Sequence, residues 1–182
     1  MDTNLLNNYV LKAIDAYPYN LEETVENLNY ALSYENNNVY ALYLMGRLQA
    51  EQFGDYEKAK QCYAEALANK MEFHKVYPKY IQVLLDNEDL IEAQKLIDFA
   101  FNIKGIDRGS IWEKQGQLFE IKQMYKHAIS ALKKAKQFGY NDGFIDYLNS
   151  EISRNKKKLK PKEKKAPKNK SKSKNTKKKK KK

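Results

Sequence analysis

Residues 41–67 have the sequence ALYLMGRLQAEQFGDYEKAKQCYAEAL. This stretch predicts a pair of antiparallel helices, because apolar residues recur at helical spacing on both sides of a break at Gly54. Small residues, namely Gly46, Ala59 and Ala66, occupy the positions where the two helices would cross. Larger side chains at a crossing would hold the helix axes apart. We therefore expect a tight helical hairpin in which Ala59 is buried at the crossing.

The alanines of this hairpin recur along the chain at intervals of 34 or 35 residues. The two series are Ala59, Ala93 and Ala128, and Ala66, Ala100 and Ala135. Each pair of alanines falls in the second of two apolar segments that have helical period and are separated by a turn. A weaker copy of the same pattern precedes residues 41–67. A period of this length in paired helices indicates an array of stacked hairpins. The predicted repeats span about residues 4–35, 38–69, 72–104 and 109–139.

These hairpins resemble the tetratricopeptide repeat family over about residues 5–138. The residues that carry the resemblance are Tyr77 and Trp112 early in a first helix, Gly46 and Gly116 four residues on, the turn at 54–56, Tyr63, and the two alanine series, with Thr24 and Ala31 in the first repeat. The chain departs from the family pattern where Lys12 and Ile81 replace the small residue, and the closing proline is missing from every repeat. The resemblance implies an all-α fold, a right-handed solenoid of about four antiparallel helical hairpins.

Residues 142–155 predict a helix that caps the last hairpin. Phe144, Leu148 and Ile152 share one face of this helix, and polar residues occupy the other. A repeat array needs such a helix because its last apolar face would otherwise meet water. We therefore expect residues 1–155 to form one helical repeat domain.

The remaining segment, residues 156–182, contains 17 lysines in 27 residues and no aromatic residue. Such a segment has too few apolar side chains to form a core, so it is predicted to be a disordered, lysine-rich tail. The preceding 155 residues hold 22 Asp and Glu against 17 Lys and Arg, so the net charge of +11 comes from the tail. The candidate polyanion-binding residues are Lys156, Lys157, Lys158, Lys160, Lys177, Lys178, Lys179 and Lys180.

Motifs for catalysis and metal binding are missing from the sequence. It has no Gly-rich phosphate loop, no His-Glu-x-x-His, no Cys-x-x-Cys and no Gly-x-Ser-x-Gly. His74 and His127 lie in different repeats, and the single cysteine, Cys62, falls within a helical pattern as a small buried hydrophobe. We predict a protein that is not an enzyme and that has no metal site and no cofactor. We also expect a cytoplasmic protein, because the sequence shows neither a signal peptide nor an apolar run of about 18 residues.

The resemblance also implies a binding surface, since the first helices of such hairpins line a concave groove that holds a partner peptide. Family geometry places eight residues in this groove: Tyr9, Tyr40, Tyr43, Arg47, Lys75, Gln82, Glu113 and Gln117. The set lacks the regular Lys, Asn and Arg constellation with which some members of the family clamp a terminal carboxylate, so that subfamily is disfavoured.

Two hypotheses for function follow from these features. The first is a non-catalytic adaptor or scaffold that binds a protein or peptide partner in the groove. The alternative is a nucleic-acid- or ribosome-associated protein whose lysine-rich tail binds polyanions without sequence preference. The sequence identifies neither the partner nor the oligomeric state.

Overall fold

The computed structural model describes residues 7–159, which form nine α-helices and no strand. The helices are α1 (Asn8–Ala16), α2 (Leu21–Tyr34), α3 (Val39–Glu51), α4 (Tyr56–Asn69), α5 (Val76–Asp86), α6 (Leu90–Ala100), α7 (Arg108–Ile121), α8 (Tyr125–Gln137) and α9 (Asp142–Leu159). The first eight helices pair into four hairpins, and α9 packs on α8. The predicted all-α solenoid of helical hairpins is confirmed.

Asparagine and aspartate side chains begin most of these helices. In each case the side-chain oxygen accepts a hydrogen bond from the backbone N–H three residues later, which satisfies a donor that the first helical turn leaves unpaired. The capping residues are Asn7, Asn20, Asn38, Asp55 and Asp107. Pro78 falls in the first turn of α5, which begins at Val76, and there the missing N–H of proline costs no intrahelical bond.

The buried side chains form clusters that each join one hairpin to the first helix of the next. One cluster contains Val10, Leu28 and Leu48, and therefore spans α1, α2 and α3. The next begins at Val39 and ends at Val83 on α5, and a third runs from Tyr77 to Leu118 on α7. Each repeat therefore buries its apolar face against its immediate neighbours, as expected for a quasi-one-dimensional array.

The predicted helix crossings are confirmed at the small residues. Ala59, Ala93 and Ala128 are all fully buried. A Cβ atom on Gly46 would lie 2.6 Å from Cε1 of the buried ring of Tyr63, so α3 and α4 approach each other too closely for any side chain at this position.

The array curves toward its first helices. Within residues 7–159, α1 packs on α3, α3 on α5 and α5 on α7, whereas no comparable packing joins successive second helices. Since the first helices are closer together than the second ones, they lie on the concave side. This arrangement agrees with the groove implied by the family resemblance.

The C-terminal boundary needs a correction. The capping helix was predicted to end at residue 155, but α9 continues to Leu159, so Lys156, Lys157 and Lys158 are helical rather than part of a disordered tail. A long-range contact fastens this last turn, because Nζ of Lys158 lies 2.6 Å from a carboxylate oxygen of Glu120 on α7. The other predicted polyanion-binding residues, Lys160 and Lys177 to Lys180, lie outside the described residues.

Candidate functional site

A cavity of about 640 Å³ opens near the N-terminal end of the concave side, between α1, α3 and the start of α5. We call it the N-terminal cavity. Its lining combines apolar and aromatic side chains with two cations and one carboxylate. The lining residues are Ile14, Tyr17, Pro18, Tyr40, Tyr43, Leu44, Arg47, Glu51, Gln52 and Lys75. Both the volume and the mixture of surfaces are typical of a site that holds part of a ligand.

Glu51 organises one wall of the N-terminal cavity. Arg47 donates two hydrogen bonds to its carboxylate, at 2.9 and 3.2 Å, and Nζ of Lys79 lies 2.7 Å from the same group. The hydroxyl of Tyr17, one repeat earlier, also donates to it. Burial alone would raise the pKa of Glu51, but these hydrogen bonds outweigh burial and lower that pKa from 4.5 to about 2. The Glu51 side chain therefore stays charged and fixed in place at neutral pH.

The aromatic side of the N-terminal cavity is held by ring packing. Tyr40 and Tyr43 both contact Phe73 edge to face, with centroid distances of 4.7 and 5.7 Å. The guanidinium of Arg47 lies 4.7 Å from the ring centroid of Tyr17, and Nζ of Lys75 lies 5.7 Å from that of Tyr40. Because these rings are packed before any ligand arrives, a ligand would find a rigid surface.

A second cavity of about 470 Å³ lies farther along the concave side, between α5, α7 and α9. We call it the C-terminal cavity. Polar and charged side chains dominate its lining, which consists of Gln82, Leu85, Gln117, Glu120, Ile121, Tyr147, Glu151, Arg154 and Lys158.

Glu120 is the centre of the C-terminal cavity. Arg154 donates two hydrogen bonds to its carboxylate, and Lys158 and Asn155 each donate one, at 2.6 and 2.9 Å. Burial would raise the pKa of Glu120, but these donors lower it to about 2. All of the donors lie on α9, so this cluster fastens the capping helix to α7.

A second network, centred on the carboxylate of Glu113, completes the same joint between α7 and α9. The hydroxyl of Tyr147 on α9 donates to Glu113 at 3.0 Å and accepts a hydrogen bond from Gln117 at 3.3 Å. Gln117 also donates to Glu113. Burial, followed by the nearby Glu113 charge, raises the pKa of Tyr147 to about 12, so its hydroxyl remains a donor at neutral pH.

The structure divides the eight predicted groove residues into three groups. Four of them line the N-terminal cavity: Tyr40, Tyr43, Arg47 and Lys75. Gln82 and Gln117 line the C-terminal cavity. The remaining two, Tyr9 and Glu113, line neither cavity.

The positions of these last two residues have physical causes. Tyr9 lies against Tyr30 and Tyr34 of α2, with ring centroids 5.4 and 5.7 Å away, so its side chain is engaged within the first hairpin. Glu113 is only 5% exposed, because Tyr147 of α9 bonds it from the adjoining helix. Both side chains are therefore engaged by neighbouring helices, and a role in the groove remains a prediction for each.

The sequence interpretation missed other residues of the site, and a signal for them was present. Tyr17 and Glu51 are 34 residues apart, as are Glu113 and Tyr147, and Glu120 and Arg154. Extending the repeat period into residues 142–159 would have identified α9 as a further first helix whose side chains reach the concave side. It would also have indicated the contacts that bury Glu113.

The other chemically notable side chains lie apart from both cavities. His127 is exposed and packs against Phe119, whereas Cys62 is half-buried, and burial raises the pKa of its thiol. Between residues 7 and 159, no group of three or more His, Cys, Asp or Glu side chains is arranged to hold a metal ion. Over the same range, no helix combines the length and the apolar character that crossing a bilayer requires.

Comparison with known proteins supports the fold and goes no further. No protein-family model and no curated protein matches the chain. Among solved structures, the chain is similar to the MamA RS-1 ArsTM double mutant, with a TM-score of 0.62, 17% identity, and coverage of 84% of this chain and 89% of that one. It is also similar to MamA residues 41 to the end from Desulfovibrio magneticus RS-1, with a TM-score of 0.62, 17% identity, and coverage of 82% and 88%. At this identity the likeness shows a tetratricopeptide-like solenoid.

Proposed function

We propose that this protein is a non-catalytic adaptor that binds a segment of a protein partner in the N-terminal cavity. Solenoids of this kind present extended concave surfaces to their partners. The observation that carries the proposal is the N-terminal cavity itself, where preformed tyrosine rings and aliphatic side chains lie beside fixed charges. Tyrosine and arginine are enriched among the residues that dominate interfaces, and both are present here.

The C-terminal cavity is a weaker candidate for the same role. Its carboxylates and cations are bonded to one another across α7 and α9. A partner that displaced these contacts would have to compensate for the loss of the joint that holds the capping helix. We therefore place the partner in the N-terminal cavity.

Ile14 allows the proposal to be tested without damage to the fold. Its side chain is 43% exposed and lines the N-terminal cavity, so an aspartate there would put a charge on the binding surface and leave the core intact. Tyr43 is a poorer choice because its ring packs against Tyr63 and Phe73. Ile91 on α6 is the matched control, since it is 67% exposed and lines neither cavity.

The experiment compares the wild-type chain with Ile14→Asp and Ile91→Asp as baits in nuclease-treated cell extract. We expect a partner that wild type and Ile91→Asp retain and that Ile14→Asp loses. Circular dichroism and thermal melts of all three proteins provide the folding control. If natively folded Ile14→Asp keeps every partner, the interface lies elsewhere on the solenoid.

The alternative of polyanion binding through the lysine-rich segment remains a separate hypothesis. The described part of that segment contributes exposed lysines, Lys156 and Lys157, on the last turns of α9. Partners lost after nuclease treatment would belong to this second activity and not to the N-terminal cavity.

A further inference from the structure

The N-terminal cavity carries positive charge that its own side chains do not balance. Its one carboxylate, Glu51, is bonded by both Arg47 and Lys79. Lys75 adds a third cation at the rim, and within residues 7–159 it forms no ion pair, its nearest described polar interaction being with the ring of Tyr40. Buried or partly shielded surfaces of one charge sign favour ligands of the opposite sign.

The start of α5 adds to this positive potential. Lys75 directly precedes α5, and the helix has neither a capping side chain nor an acidic residue in its first turn. The first-turn N–H groups of a helix carry partial positive charge, which a nearby anion stabilises and a lysine does not. The other first helices, α1, α3 and α7, also lack an acidic residue in the first turn, but each has a capping side chain, so α5 differs from them in leaving its first N–H groups without one.

Aliphatic surface lies next to this cationic rim. Ile14 and Leu44 line the N-terminal cavity together with the tyrosine rings. A volume of about 640 Å³ is enough for one large apolar side chain and part of the backbone that carries it. One ligand segment could therefore occupy both surfaces at once.

The geometry points to a definite class of partner, and this inference rests on the adaptor function proposed above. The partner segment is an internal peptide with one large apolar side chain in the N-terminal cavity and an adjacent aspartate or glutamate that pairs with Lys75 at the start of α5. Charge complementarity selects this class over neutral and basic peptides. The C-terminal cavity shares neither feature, because Glu120 already holds its cations.

The test uses the full chain and synthetic peptides with acetylated and amidated ends, so that every carboxylate belongs to a side chain. Each peptide has a central tryptophan, flanked by glutamate in one series, glutamine in a second and lysine in a third. Binding is measured by fluorescence anisotropy to wild type, Lys75→Glu and Lys104→Glu. Lys104 is an exposed lysine between α6 and α7 that lines neither cavity, so its variant changes the net charge equally and leaves residues 156–182 intact.

We expect the glutamate-flanked peptide to bind wild type most tightly. Lys75→Glu should weaken it about 5- to 20-fold, since an attraction is replaced by a repulsion, and Lys104→Glu should leave it within about twofold. Equal weakening by the two substitutions would assign the preference to overall charge and overturn the inference.

A further variant separates the two proposals. If Ile14→Asp abolishes binding of all peptides, and the glutamine or lysine series binds wild type as tightly as the glutamate series, the cavity binds peptides but the acidic class is wrong. If Ile14→Asp changes the binding of no peptide, the cavity is not the binding site and both proposals fail.

Discussion

The two cavities of the concave side use charge in opposite ways. In the N-terminal cavity one carboxylate, Glu51, faces an excess of cations, and aromatic rings and aliphatic side chains form most of the remaining lining. In the C-terminal cavity the cations Arg154 and Lys158 both meet Glu120 at 2.6 Å. The repeat geometry therefore determines where cavities form. Whether a cavity can receive a partner depends on its charged side chains, which either remain accessible or pair with one another and hold two helices together.

The same contrast applies to the lysines at the C-terminal end of the chain. Lys158 is engaged with α7, whereas most lysines of the segment follow α9. Removing residues 160–182 therefore separates the two kinds of positive charge while keeping the contact between Lys158 and Glu120. A truncation after Asn155 would remove that contact as well, and would confuse loss of the tail with damage to the joint.

The first prediction, with the largest expected effect, concerns the removal of residues 160–182. The full chain should bind a labelled single-stranded oligonucleotide at low salt, and residues 1–159 should not. Six engaged lysines would release about four counterions from a single strand, so the affinity of the full chain should fall roughly 300-fold between 50 and 200 mM salt. Anisotropy titrations at the two salt concentrations measure the dissociation constants of both proteins for the oligonucleotide. Equal binding by residues 1–159 would exclude residues 160–182 as the polyanion-binding element and assign the binding to the helical body, which includes Lys156 and Lys157 on α9.

The second prediction compares a hairpin at each end of the groove. Gly46→Ala places a Cβ 2.6 Å from the ring of Tyr63, which is 1% exposed and cannot turn aside, so we expect a loss of about 1–3 kcal/mol in unfolding free energy. Gly116→Ala meets Cδ2 and Cγ of Leu132 at 2.8 Å; Leu132 is as buried as Tyr63, but a branched aliphatic side chain can change rotamer in less space than a tyrosine ring. Alanine is favoured over glycine in a helix by about 1 kcal/mol at both positions, so the difference between the two variants reports the steric cost, which should be smaller for Gly116→Ala.

Urea denaturation of both variants at 25 °C measures the difference. Ala59 lies on the same α3 and α4 interface as Gly46, and is also fully buried. If Gly46→Ala proves no more costly than Gly116→Ala, then the ring of Tyr63 adapts to an added methyl group as readily as the side chain of Leu132 does.

The difference between the two hairpins also shows what could be predicted from sequence. The hairpins and the crossings were predictable, because a 34-residue period and small residues at Gly46, Ala59 and Ala66 are local signals. In the first repeat, alignment to the family pattern put Lys12 at the position where the family has a small residue of the first helix. In the structure Lys12 is exposed, and its neighbour Ala13 is the fully buried small residue. A shift of one residue turns a helix by about 100°, which is enough to exchange core for surface.

The candidate site was less predictable than the fold. Tyr40, Tyr43, Arg47 and Lys75 do line one cavity, since they lie on or at the start of first helices, but their part in binding stays a prediction. Whether a charged side chain is paired within the protein depends on contacts with residues about 30 positions away in sequence, such as the contact of Lys79 with Glu51. No local pattern contains that information, and the burial of Glu113 by Tyr147 of α9 was not foreseen for the same reason.

The third prediction concerns acid. The pKa values of Glu51 and Glu120 are lowered from 4.5 to about 2 in the folded protein. A carboxylate whose pKa is lower in the folded than in the unfolded state stabilises the fold above the unfolded pKa, and this stabilisation is lost as pH falls through the folded pKa. Stability should therefore decline between about pH 4.5 and pH 2.

Two variants assign this decline to the two cavities. Glu120→Gln should remove more of the pH dependence than Glu51→Gln, because the Glu120 side chain is 9% exposed and that of Glu51 is 30% exposed. Glu151 opposes the trend slightly, since burial raises its pKa. Urea midpoints at pH 7 and pH 3 for wild type and both variants measure the effect. A larger change in Glu51→Gln would mean that the N-terminal cavity is the more tightly bonded of the two.

The smallest expected effect tests whether the C-terminal joint differs from an ordinary surface ion pair. Lys79 and Lys158 are similarly exposed, at 42% and 45%, and each contacts one carboxylate, but the carboxylate of Glu120 is the more sheltered. Exposed pairs contribute about 0.2–1 kcal/mol, and shelter from water moves a pair toward the upper end of that range. Lys158→Gln should therefore lower the unfolding free energy more than Lys79→Gln.

Lys158 also lies in the last turn of α9, where any lysine interacts favourably with the helix dipole. Lys157→Gln is the matched control, because Lys157 occupies the same turn, is exposed, and has no contact with Glu120 among the described residues. Subtracting the effect of Lys157→Gln from that of Lys158→Gln leaves the contribution of the contact with Glu120. That remainder should shrink in 0.5 M NaCl if it is electrostatic, and should vanish in a Glu120→Gln background. If it survives in that background, packing of the lysine stem and not charge holds the last turn of α9 on α7, and the two cavities differ less than their ion pairs indicate.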